Sequence, residues 1–83
     1  MAWRLHYFAK ALTVVDGRLQ GGEPMPFLTA QDAEEGAALL ARMAIAAVAY
    51  QQLGDMDHDM WDEPELLAVF GEVTAIEVQA AAA

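Results

Sequence analysis

The sequence predicts an α+β fold, in which a small antiparallel three-stranded sheet packs on one long helix and a short second helix precedes the last strand, in the order β-β-α-α-β. Three observations lead to this prediction. The N-terminal segment alternates in polarity up to Asp16-Gly17, residues 30–53 are apolar almost throughout, and residues 72–79 alternate again. Helices gathered on one face of a small antiparallel sheet are typical of the α+β class.

The first element is a β-hairpin. Residues 3–9 alternate with a period of two, with Trp3, Leu5 and Tyr7 on one side, and such aromatic-rich alternation is typical of a strand. Asp16-Gly17 supplies the two residues that a type I′ turn needs at positive φ. The sequence therefore predicts two strands joined by a tight turn, the second ending at the glycine pair that follows.

The second element is a long helix over residues 30–53. Thr29 is a natural N-cap, Asp32 stands at the third helical position, and Gly54 suits the residue that ends a helix in a left-handed conformation. A helix that is apolar nearly all round is buried nearly all round. Because a small sheet covers only one side, the Ala-rich surface of helix 30–53 predicts a homodimer.

A short helix is predicted over residues 63–70. Asp62 fits its N-cap, Glu65 completes a variant of the capping box, and Trp61 can fold onto Leu66 as a hydrophobic staple. The alternation of residues 72–79 then predicts the third strand.

Length and composition indicate one domain. We expect residues 1–79 to share a single thin core, since a chain of 83 residues buries enough surface for no more. The alanines at 80–83 are interpreted as a frayed or vector-derived tail. No signal peptide is evident, and the longest apolar run, residues 37–50, contains Arg42 and is shorter than the roughly 20 residues of a membrane span. The absence of cysteine suits a cytoplasmic location.

The charge distribution limits the classes of partner. The net charge is −9, and from residue 19 onward Arg42 is the single basic residue against all but one of the 13 acids. Such a field repels nucleic acid and anionic membranes and attracts basic surfaces. We therefore expect no direct nucleic-acid or membrane binding.

The segment from residue 55 to residue 65 is the candidate binding site, because carboxylates alternate there with large apolar side chains. Carboxylates accept hydrogen bonds from Arg and Lys, while Met and Trp supply adaptable packing and a cation–π face. The predicted partner-binding residues are Asp55, Met56, Asp57, Asp59, Met60, Trp61, Asp62, Glu63 and Glu65. The alternative is that these acids only keep an apolar protein soluble.

A divalent-cation site is a weaker alternative for the same segment. Asp55, Asp57 and Asp59 copy the first ligands of a calcium-binding loop. The glycine and the bidentate glutamate of that loop are replaced by Met60 and Leu66. We therefore predict no metal ligands and no cofactor.

Catalysis is not indicated either. The chain has no Cys and no Ser, and nothing places its threonines beside His6 or His58 as a nucleophile beside a base. The sequence thus predicts a non-enzymatic, acidic protein-binding module, an inhibitor or nucleic-acid mimic that occupies a basic site on a partner protein, and nucleic-acid-binding proteins are one class with such a site. In size and charge it is similar to phage-encoded inhibitors of bacterial defence, such as anti-CRISPR proteins. A homo-oligomeric accessory subunit is the alternative.

Overall fold

The computed structural model describes residues 3–71 and places them in six antiparallel strands and one helix. The elements are β1 (Arg4–Val15), β2 (Arg18–Gly21), β3 (Met25–Phe27), α1 (Ala30–Leu40), β4 (Ala46–Asp55), β5 (Met60–Trp61) and β6 (Glu65–Gly71), with one 3-10 turn (Met56–His58) between β4 and β5. Strands make up 55% of the structure and curl into a half-barrel. The predicted three-stranded sheet with two helices is therefore wrong.

The sheet is built around two long central strands. β1 and β4 pair along most of their lengths, from Arg4 opposite Gly54 to Leu12 opposite Ala46. The short strands β2 and β3 share the outer edge of β1, and β5 and β6 share the outer edge of β4. Four of the six strands thus depend on the central pair for their backbone hydrogen bonds.

The predicted N-terminal hairpin is confirmed. Val15 pairs with Arg18 across the turn. Asp16 and Gly17 have φ angles of 52° and 78°, as a turn with two left-handed residues requires. β1 begins near the predicted residue and runs without interruption to the turn.

The predicted start of the long helix is confirmed, and its predicted end is wrong. The Thr29 side chain accepts a hydrogen bond from the Asp32 backbone N–H at 3.1 Å, as predicted for the N-cap. The helix ends at Leu40, and residues 46–55 form the central strand β4 instead. A strand that is covered on both faces is apolar without alternation, so its sequence resembles that of a buried helix.

The predicted short helix is also wrong, because residues 65–71 form strand β6. Leu66 pairs with Tyr50 and Gly71 with Ala46, with a β-bulge between these pairs. Asp62 is not a helix N-cap. Its backbone N–H donates to the Leu53 carbonyl at 2.8 Å. Gly71 has a φ of 108°. The third strand predicted over residues 72–79 lies outside the described residues.

Two apolar clusters flank the sheet. On one face α1 packs against the strands through alanines, and this cluster comprises Ala9, Ala33, Ala37, Ala47 and Ala49. On the opposite face larger side chains are buried, namely Phe8, Leu12, Ala46, Val48 and Tyr50. Small side chains let the helix lie close to the sheet, so most of the large buried side chains belong to the opposite face.

The Ala-rich surface that predicted a homodimer is not the surface of a single helix. Ala33 and Ala37 are fully buried against the sheet, and Ala46–Ala49 lie in β4. The homodimer stays a prediction, but it has lost the helix 30–53 on which it was based.

Candidate functional site

The acidic loop, defined here as residues 55–65, runs from the end of β4 to the start of β6 at one end of the sheet. It contains the 3-10 turn Met56–His58 and the two-residue strand β5. All nine predicted partner-binding residues lie in it, but the structure gives them different environments. Seven are exposed, namely Met56, Asp57, Asp59, Met60, Asp62, Glu63 and Glu65.

Asp55 is the buried anchor of the acidic loop. Its side chain is 1% exposed. One carboxylate oxygen accepts a hydrogen bond from the Asp57 backbone N–H at 3.0 Å, and the other lies 3.0 Å from Nδ1 of His58. Asp55 therefore caps the 3-10 turn and holds its last residue, and because it is buried it presents no acceptor to a partner.

The Trp61 side chain is held in place by neighbouring residues. Its ring lies directly against Gly54, where an added Cβ would approach the ring to 2.2 Å, so β4 needs a glycine at this point. The indole Nε1–H donates to a carboxylate oxygen of Asp59 at 2.9 Å. The ring also meets His6 and Phe8 edge-on, with centroids 5.1 and 6.0 Å apart. Trp61 thus fastens the loop to the sheet and is not a staple for a helix.

The exposed carboxylates of the loop have no basic partner within residues 3–71. Across that part of the chain the one contact at ion-pair distance is that between Asp55 and His58, and none involves Lys or Arg. Glu65 accepts a hydrogen bond from the Gln51 side chain at 3.2 Å, a neutral contact that leaves its charge in place. The loop therefore presents a negative surface that a cationic group can still neutralise.

The geometry does not favour the cation site considered for Asp55, Asp57 and Asp59. Asp55 is turned inward onto His58, and Asp59 receives the indole N–H of Trp61. Between residues 3 and 71 no three potential ligand side chains are grouped so that they could hold a metal ion.

Sequence reasoning missed an apolar pair next to the acidic loop. Leu5 and Leu53 are directly opposite each other on β1 and β4, and they are 47% and 38% exposed. The alternation of β1 was a signal for Leu5. Leu53 gave none, because it was assigned to the helix 30–53.

Tyr50 and Lys10 lie together on the face of the sheet opposite α1. The Lys10 ammonium is 5.3 Å from the centre of the Tyr50 ring. Burial raises the pKa of the Tyr50 phenol and lowers the pKa of the Lys10 ammonium, since both charged forms lose hydration there. These two groups therefore affect stability in opposite directions as the pH rises.

We expect Tyr50 to destabilise the protein above about pH 10, the ordinary tyrosine pKa. Its raised pKa means that the unfolded chain loses the phenol proton first, so the stabilising contribution is complete below that pH and is lost as the pH rises through the folded-state value. Lys10 acts in the opposite direction, because burial lowers its pKa. Its effect is that the protein gains stability as the pH rises toward 10.5, the pKa of lysine in the unfolded chain.

Tyr50→Phe separates the two effects. In a titration of tyrosinate absorbance we expect this variant to lose a step that lies above pH 10 in the parent protein, while Tyr7→Phe keeps that step. Denaturant unfolding at increasing alkaline pH should show a smaller loss of stability in Tyr50→Phe than in the parent. A missing absorbance step at or below pH 10 would contradict the burial of the phenol.

No helix within residues 3–71 has the length and apolar character needed to cross a membrane. Comparison with protein-family models, curated proteins and solved structures gave no significant match.

Proposed function

We propose that this protein is a non-catalytic binding module whose acidic loop docks on a basic surface of a partner protein, as an inhibitor that occupies a nucleic-acid-binding site. The observation that supports this most is the set of exposed carboxylates that make no ion pair with Lys or Arg in the described part of the chain. These residues are Asp57, Asp59, Asp62, Glu63 and Glu65.

The way the loop is held supports the proposal further. The Asp55 carboxylate caps the 3-10 turn. The Trp61 ring packs against Gly54 of β4, and its indole N–H donates to Asp59. A surface fixed before binding loses less conformational entropy when the partner arrives. The net charge of −9 adds electrostatic steering, which speeds encounter with a cationic partner.

Neutralising the loop tests the proposal. The variant Asp57→Asn, Asp62→Asn, Glu63→Gln removes three exposed charges without touching Asp55 or Trp61. We expect it to keep the fold and to lose binding to a basic nucleic-acid-binding partner captured from the native host, by about tenfold or more in affinity, since each lost charge pair at an interface removes part of the favourable binding energy.

The control is a variant with the same change in net charge at exposed acids far from the loop in sequence, Asp16→Asn, Glu23→Gln, Glu35→Gln. Affinities of parent, loop variant and control are compared by isothermal titration calorimetry at two salt concentrations. Equal losses in the two variants would show that overall charge and not the loop is responsible. Unchanged affinity in the loop variant would refute the proposed function.

A further inference from the structure

α1 covers the helix-bearing face of the sheet at one end only; at the far end Asp55 is buried and bonded to residues of the 3-10 turn, and Leu5 and Leu53 between these two ends stay exposed. α1 has 11 residues and is about 16 Å long, whereas β4 has 10 residues and is about 33 Å long. The helix packs over Ala9, Ala47 and Ala49. The same face continues beyond the helix toward the acidic loop, and we call this continuation the bare sheet end, formed by Leu5, Leu53 and Met60.

The register of the strands places these three side chains on one surface. Leu5 and Leu53 are directly opposite, and both share the parity of the residues under α1, since side chains alternate between faces. Met60 is opposite Asp55, two residues beyond Leu53, and therefore faces the same side; it is 54% exposed. Directly opposite and diagonal neighbours in a sheet are within contact distance for long side chains.

Carboxylates border the bare sheet end along one edge. Asp62 is tied to Leu53 by the hydrogen bond from its backbone N–H to the Leu53 carbonyl. Glu65 is opposite Gln51, the next residue on the same face of β4. Exposed apolar side chains that are bordered by polar or charged groups are typical of interaction surfaces.

We infer that the bare sheet end binds an amphipathic basic segment of a partner protein, whose apolar side chains contact Leu5, Leu53 and Met60 and whose Lys or Arg side chains reach Asp62 and Glu65. This inference rests on the proposed function and names its partner more closely. A carboxylate surface that only replaces phosphates needs no apolar centre, whereas here the apolar side chains lie beside the acids. Partially desolvated apolar contacts of this kind slow dissociation, and the bordering charges select a cationic partner.

Two synthetic helical peptides of equal length and equal lysine content test the inference. One carries leucines on the face opposite its lysines, and the other carries glutamines in their place. We expect the Lys/Leu peptide to bind about tenfold more tightly, measured by fluorescence anisotropy of labelled peptide. The double variant Leu5→Thr, Leu53→Thr should abolish that difference, because threonine keeps the strands and removes the apolar surface.

The matched control is Val14→Thr, Val15→Thr, which changes two exposed strand residues at the other end of β1. It should leave the tenfold preference intact, and circular dichroism should show all variants folded. A preference that survives in Leu5→Thr, Leu53→Thr overturns the inference. Equal binding of both peptides that disappears in the loop-neutralised variant also overturns it but retains the proposed function, whereas no binding of either peptide refutes both.

Discussion

Leu12→Ala is expected to lower the free energy of unfolding by about 3 kcal/mol, within the range of large-to-small substitutions in protein cores. Leu12 is 0% exposed and lies among Phe8, Val48 and Tyr50 on the face opposite α1. The remaining side chains are held by strands β1 and β4, which cannot move inward without breaking their own pairing. The cavity therefore stays open, and the full cost of lost contacts is expected in urea unfolding.

Val14→Ala is the control for this prediction. Val14 lies two residues farther along β1 and is exposed, so its truncation should change the free energy of unfolding by less than about 1 kcal/mol. Similar losses in the two variants would mean that the face opposite α1 is not a packed core. Both variants should keep the far-UV circular dichroism of the parent.

Asp55→Ala is expected to cost about 2 kcal/mol of folding stability and to loosen the acidic loop. The substitution removes the acceptor of the Asp57 backbone N–H and the partner of His58. Loss of a capping acceptor costs about 1 kcal/mol, and loss of a hydrogen bond to a charged group adds a similar amount. That second amount is already discounted from the roughly 1.5–3 kcal/mol typical of such a bond, because the His58 side chain is 53% exposed and water takes over part of the interaction.

Asp57→Ala is the matched control, since it removes the same charge two residues away from an exposed side chain. It should change stability by less than about 0.5 kcal/mol. Asp55→Asn should fall between the two, because its amide oxygen can still cap the turn. Thermal unfolding of the three variants at neutral pH decides the matter: equal stability of Asp55→Ala and Asp57→Ala would show that the buried carboxylate holds nothing.

The parts of the fold that the sequence predicted correctly are those with local chemistry. Asp16-Gly17 specifies its turn through positive φ, and Thr29 caps α1 through a contact with Asp32. Both signals act within four residues and do not depend on the rest of the chain. That is why they could be recognised before any tertiary contact was known.

The errors come from segments whose conformation depends on distant partners. Residues 46–50 are apolar on both faces because α1 covers one side and the Phe8 cluster lies on the other. Residues 65–71 form a strand because the outer edge of β4 offers them backbone partners. In each case strand pairing with distant residues outweighed the local helix signals, such as Gly54 or the Asp62 and Glu65 pair.

The sequence predicted which segment forms the site, but not how the side chains of that segment are oriented. Exposure of most of its acids followed from charge, since unpaired carboxylates stay hydrated. The inward turn of Asp55 could not be foreseen, because nothing in a run of alternating acids marks the one that caps a turn. Leu5 and Leu53 are distant in the chain, so only the β1–β4 register brings them together.

The attachment of the acidic loop to β4 has a consequence for how binding can be detected. β4 pairs with β1 on one side and with β5 and β6 on the other, so we expect the strand that carries the loop to be among the last to open. Backbone amides of β1 and β4 that exchange with deuterium only through global unfolding should slow down when the loop is occupied. The occupied loop is thereby reported from the centre of the sheet, by amides of residues 8–12 and 46–50 that lie away from both the acidic loop and the bare sheet end.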